Sequence, residues 1–239
     1  MNSEAHRWSG RRLKRKVLEL LQQEDFAAGL ETLRSLPARQ VVNPLFSFLC
    51  HGDSLVKWRA VTAMGVVVAE LARKDMESAR VIMRRMIWQL NDESGGIGWG
   101  IPEAMGEIMA RQQGLAREYC HMLVSYMQEH GNFLEHIPLQ RGVIWGLARV
   151  AQRRPQCLQA AAHDAAAFLS SEDASLRGLS AWLLGILGAE ESLASLQGLL
   201  GDDSEIFLYQ EGRQKLFRVK ELAQEALTAI AARRAGEQG

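Results

Sequence analysis

Trp99 and Glu103 stand four residues apart, so on a helix they share one face and set a carboxylate beside an aromatic ring. Electrostatic catalysis could act through such a pair. Just upstream, Gly95-Gly96-x-Gly98-x-Gly100 has the look of a phosphate cradle. It follows a helical pattern rather than a strand and no Walker lysine comes after it, so it reads as the loop that starts a helix. An anion or peptide carboxylate held at that helix N-terminus is the functional alternative. His6, His51, His121, His130, His136 and His163 include no pair four apart beside a glutamate, and none joins a cysteine at metal spacing. No metal and no cofactor are expected from them. Serines, histidines and aspartates are present, but nothing has the pattern of a nucleophile elbow.

The elements that would position these residues are helical. Apolar residues recur three and four apart almost throughout, the five prolines are sparse, and alternating β-branched runs are few. The pattern also repeats. Asp53, Val56, Lys57, Ala60, Ala63, Met64 and Gly65 are matched by Ser94, Ile97, Gly98, Ile101, Ala104, Met105 and Gly106. Further copies begin at Leu134 and at Asp173, and a degenerate fifth begins at Leu216. The glycines that close the first four, at 65, 106, 146 and 185, are spaced by about 40 residues. One helical hairpin cannot bury its own apolar face, so copies must stack into a continuous core.

These motifs resemble the HEAT-like repeat proteins, including the repeats of phycobilisome-lyase-type chains, whose second helix carries Asp-x-x-Val-Arg-x-x-Ala before Leu-Gly. Asp53-x-x-Val56-Lys57-x-x-Ala60 and Asp173-x-x-Leu176-Arg177 carry the likeness, which spans roughly residues 40–232. The Gly-Gly-Ile-Gly-Trp-Gly-Ile-Pro-Glu-Ala-Met-Gly run is similar to that of a bacterial family of such repeats. The resemblance implies an all-α fold, a right-handed α-solenoid of about five repeats. Residues 1–50 would hold an N-terminal helical cap and first helix, 51–200 the central repeats, and 201–239 a hairpin insertion and a C-terminal cap helix, all in one domain.

At about 100° per residue the core-facing offsets of the motif helix leave Trp58, Trp99, Glu103 and Trp182 pointing away. In HEAT-like folds the second helix lines the concave surface, so these side chains should line a groove, with a glycine column between them that gives room for close approach. Trp145 falls at a core offset and reads as packing. The likeness also implies an Asp/Arg ladder along the repeats, which Gly98 and Pro138 should interrupt in the middle. Arg141 stands where a small core residue is expected, and a buried charge needs a partner, for which Glu103 and Glu107 are the candidates.

The first helices of the pairs read as Val42–Leu49, Met76–Gln89, Ala116–Glu129, Gln156–Leu169 and Leu193–Leu200, after capping segments Arg11–Leu21 and Phe26–Leu36. Pro37 and Pro44 should punctuate the start as helix breakers. Residues 205–218 break the helical period and read as a short β-hairpin turning at Glu211-Gly212, either covering the end of the solenoid or offering an edge to a partner.

Twenty-eight basic residues balance 28 acidic ones, so no global field draws the chain toward nucleic acid or an anionic membrane. The first sixteen residues are locally basic, with Arg7, Arg11, Arg12, Lys14, Arg15 and Lys16 against Glu4. Cys50, Cys120 and Cys157 are far apart, which fits a reducing cytoplasm, and no apolar run approaches the ~20 residues that span a bilayer. The expected function is a non-catalytic scaffold that takes a protein or peptide on an aromatic-lined concave face formed by Trp58, Trp99, Glu103, Arg141 and Trp182. A weaker resemblance, to the alkylpurine DNA glycosylases built from HEAT-like repeats, implies a different role for part of this set. There Glu103 beside Trp99 would stabilise an oxocarbenium-like sugar as a cationic base departs, Arg141 would hold the DNA backbone, and Trp182 would complete the groove. That family uses an aspartate where Glu103 stands, and a DNA enzyme usually carries excess Lys and Arg.

Overall fold

The computed structural model describes residues 10–91, 98–158 and 161–237. Among these, twelve α-helices and one two-stranded sheet carry the fold. The N-terminal part comprises α1 (Gly10–Gln22), α2 (Phe26–Ser35) and α3 (Ala38–Phe48). Two stacked layers follow. One consists of α4 (Ser54–Lys74), α6 (Ile101–Arg111), α8 (Ile137–Ala151), α10 (Ala174–Leu187) and α12 (Val219–Glu237), each packed on the next. Behind them, α5 (Met76–Leu90), α7 (Gln113–Ser125), α9 (Ala162–Ala167) and α11 (Leu193–Gly198) continue the row that α3 begins.

Local chemistry sets four of the helix starts. Asp25, Asp53, Asp75 and Asp173 each occupy an N-cap and accept from a backbone amide two or three residues on, satisfying donors that the first turn leaves open. The repeat aspartates are therefore caps first. α6 is buried from Ile101 to Ala110 without a break, because helices pack on it from both layers. Such a helix normally reads as apolar all round. This one carries Glu103 and Glu107, each only 3% exposed.

Three expectations about the helices need correction. Pro44 does not break the chain but lies buried inside α3, where Val41, Val42, Leu45 and Phe48 pack into the core and offset the one lost backbone bond. The segment expected as one helix over 156–169 is divided into a 3₁₀ turn at Pro155–Cys157, the short α9 and a second 3₁₀ turn at Phe168–Ser170. The polar ladder is interrupted at Gly98, as expected, but not in the Pro138 repeat, where Arg141 takes over the role. Lys57 reaches Glu103 at 2.7 Å, Arg141 pairs with Asp173, and Arg177 pairs with Asp202 at 2.7 Å, so each cation bonds into the following repeat.

The hairpin forms where the sequence places it. β1 (Glu205–Gln210) pairs antiparallel with β2 (Arg213–Arg218), and both turn residues have positive φ, 51° at Glu211 and 79° at Gly212. A two-residue turn with φ above zero at both positions matches the twist of the paired strands. The hairpin does not merely cover the end of the stack. It lies back over the helices, with β1 against α10 and its side chains reaching α8 and α4.

Candidate functional site

β1 meets the helical layer through Tyr209, which is 4% exposed. Its ring stacks on Trp58 of α4, with centroids 4.8 Å apart and planes 6° from parallel, and its hydroxyl lies 3.2 Å from Thr62 Oγ1. From α8, Trp145 comes within 4.7 Å of Trp58, centroid to centroid. The Trp145 indole Nε1–H donates to the carbonyl oxygen of Tyr209 at 3.0 Å. Two helices two repeats apart thus hold one extended residue by its ring, hydroxyl and backbone. Burial raises the Tyr209 phenol above its ordinary range, an effect the Thr62 hydroxyl partly offsets. A second register anchor comes from Ser54 Oγ, which donates to Gln214 at 2.9 Å.

The expected groove residues do not converge. Trp58 is half-buried beneath Tyr209. Trp99 sits in the turn before α6, its ring 6.2 Å from that of His136. Glu103 points into the packing between helices, with Lys57 as its ion-pair partner, and Lys57 Nζ also lies 5.0 Å from the Trp58 ring centre. A Cβ added at Gly142 would come 2.5 Å from the Glu103 carboxylate, so that glycine leaves space for the acid. Arg141 takes Asp173 rather than Glu103 or Glu107. Burial would raise the Asp173 carboxyl, but Arg141 and the Leu176 amide outweigh it and hold it below the ordinary carboxylate range. Trp182 is 9% exposed.

The glycine column has a structural job as well. A Cβ at Gly106 would lie 2.5 Å from the Gly146 carbonyl oxygen, and one at Gly185 would lie 2.6 Å from Ala226 Cα. What approaches these glycines is the next helix of the same layer. The space expected above these glycines is taken by contacts between adjacent repeats.

An open hollow of about 550 Å³ remains beside the hairpin. Trp145, Trp182 and Tyr209 wall it on one side, with Thr62 and the turn residues Glu211 and Gly212. Its other wall is charged: Glu107 accepts from Arg111 Nε at 2.8 Å and from Arg149 Nε at 2.6 Å, one buried carboxylate bridging two helices. A second hollow of about 520 Å³ shares Arg111, Arg149 and Arg153 with the first and extends to α2 and α4. Volumes of this size suit a small ligand or a few residues of peptide.

Reasoning from the sequence missed Tyr209, and it offered Glu107 to Arg141 where the partners are Arg111 and Arg149. Tyr209 lies in an alternating strand pattern, and nothing in the pattern says which surface that strand meets. Ser94, Gly95, Gly96 and Ile97, together with Glu4, His6 and Arg7, lie outside the described residues.

No protein-family model matches the sequence, and no curated protein matches it. Solved structures do. An engineered protein from a structural genomics programme aligns over 92% of this chain and 96% of its own, at 17% identity and a TM-score of 0.51. A computationally designed armadillo repeat protein for modular peptide recognition aligns over 91% and 99%, at 17% identity and a TM-score of 0.50. A second engineered protein gives 0.52 at 17% identity, with this chain spanning 58% of its length. The chain has an armadillo-like helical-repeat fold.

Proposed function

We propose that this helical-repeat chain is a non-catalytic cytoplasmic scaffold that holds an extended protein or peptide segment along the concave face of its second helices. In this reading the stack is one domain, a right-handed superhelix of about five HEAT-like repeats. One observation supports the reading: α4 and α8 already hold an extended strand, with Trp145 donating to the carbonyl of Tyr209 at 3.0 Å while the ring of that residue stacks on Trp58. Recognition of extended peptides combines such backbone bonds with pockets for side chains. The chain's own hairpin fills part of the face, and the hollow beside it is the part left for a partner. The binding set expected from sequence accordingly narrows to Trp182, with Trp145 and Tyr209 added. Trp58 anchors the hairpin, while Glu103 and Arg141 serve the contacts between repeats. Likeness to a designed peptide-recognition protein agrees with the reading at the level of fold.

The glycosylase alternative draws less support. A carboxylate that stabilises a departing base must meet the substrate, and that of Glu103 is buried under Lys57.

The test is selection from a random-peptide display library on the full chain, with Trp182→Ala as counter-target after its helicity has been checked by circular dichroism. Peptides enriched on the wild type and not on the variant support the proposal. No enrichment, or equal enrichment on both, overturns it.

A further inference from the structure

The two hollows meet at a waist of arginines. Arg111 and Arg149 stand there over the single carboxylate of Glu107, and Arg154 directs its Nε to the carbonyl of Met109 at 3.2 Å. Arg153 is exposed and has no side-chain partner among the described residues. The waist therefore carries four cations against one acid, in a chain whose net charge is zero.

Neutralisation of helix ends explains part of this. Arg111 and Arg149 lie in the last turns of α6 and α8, where cations offset the negative end of the helix dipole. Arg153, just past the end of α8, feels the same dipole but, unlike Arg111 and Arg149, has no side-chain partner among the described residues and faces both hollows. At the two ends of the trough the charges are balanced: Glu211 pairs with Lys215 by the hairpin turn, and Glu31 and Glu70 pair with Arg34 and Arg73 by α2 and α4.

Accepting the peptide-scaffold reading above, on which this step rests, we infer that the partner segment is acidic, with a short run of carboxylates seated on Arg153 and the neighbouring Arg111, Arg149 and Arg154. A cationic centre between charge-balanced ends complements a brief acidic run with neutral flanks. A nucleic-acid strand carries a charge at every residue, whereas only the short waist of the trough has excess positive charge to meet it. Trp182 and Trp145, on the wall of the same trough, offer apolar contact beside the charges.

The experiment uses the full chain and fluorescence anisotropy at low salt. The probes are a labelled peptide with three consecutive glutamates in a Gly-Ser frame, its glutamine and lysine counterparts, and a labelled oligothymidylate. The glutamate peptide binds best, salt weakens it, and Arg153→Glu lowers its affinity by about tenfold or more. Arg15→Glu, which makes the same change in net charge on α1, alters it by less than about twofold. Arg153→Gln, which keeps the stem and removes only the charge, gives an intermediate loss and guards against misfolding of the reversal. Three outcomes overturn the inference: no binding of the glutamate peptide, equal losses in Arg15→Glu and Arg153→Glu, or tighter binding of the oligothymidylate. Display selection separates this from the scaffold proposal, because peptides that depend on Trp182 but lack acidic residues would leave the scaffold standing and remove only the acidic partner.

Discussion

Tyr209 stacks on Trp58 across 151 residues of sequence, and Trp145 fixes the same residue through its backbone carbonyl. The hairpin is therefore part of the helical layer it covers. Tyr209→Ala removes the stack, the buried ring and the Thr62 bond, and should lower unfolding stability by about 3 kcal/mol, within the range for buried aromatic truncations. Tyr209→Phe keeps the ring and should cost only about 1 kcal/mol. Urea unfolding of both variants measures the difference, and equal losses would show that the ring is not the anchor.

Gly106 faces Gly146 where α6 crosses α8. Gly106→Ala places a methyl 2.5 Å from a backbone oxygen, which neither helix can turn aside. The expected loss is about 3 kcal/mol. Gly198→Ala, where an added Cβ meets nothing within 4 Å, should leave stability within about 0.5 kcal/mol. Thermal melts of the two variants test the contrast; a neutral Gly106→Ala would mean the helices part easily.

Glu107 joins α6 to α8 through Arg149 while also holding Arg111. Replacing it with alanine leaves two partly buried guanidiniums without their acid, and a cost of about 3 kcal/mol is expected. Glu107→Gln keeps the volume and should cost less. If both variants were as stable as the wild type, the bridge would be dispensable.

Asp173 gives a pH signature. Its folded pKa lies below the ordinary carboxylate range, so the stability it contributes is complete above that range and is lost as pH falls through the folded pKa. The stability gap between wild type and Asp173→Asn should be constant between about pH 5 and 7 and shrink below about pH 4. Asp202, lowered in the same sense by Arg177 and Ser204 against its burial, should behave alike. A gap that persisted unchanged at about pH 2.5 would contradict the ion-pair origin.

The helical repeat, the starts of α4 and α10 and the turn of the hairpin can all be read from the sequence, because each rests on local physics. Period sets the apolar face, aspartates cap the first turn, and a Glu-Gly pair between alternating residues makes a tight turn. The candidate site was legible only in its residue types. Trp58 and Trp182 do lie at the layer the hairpin covers, whereas Glu103 and Arg141 serve contacts between repeats.

Periodicity tells which face of a helix is apolar and is silent on what covers it. Thr62 and Tyr209 are 147 residues apart, and no local rule brings a strand near the last helices back to α4. The glycines show the same division. Their spacing of about 40 residues is sequence information, but whether the space above each belongs to a ligand or to the neighbouring helix is decided by how closely the repeats stack. Local residue patterns specify the elements and their repetition. Packing places the hairpin against α4, α8 and α10, sets Glu107 between two helices, and leaves Arg153 facing the open trough. Each of these depends on contacts between distant segments, which short-range residue preferences do not encode.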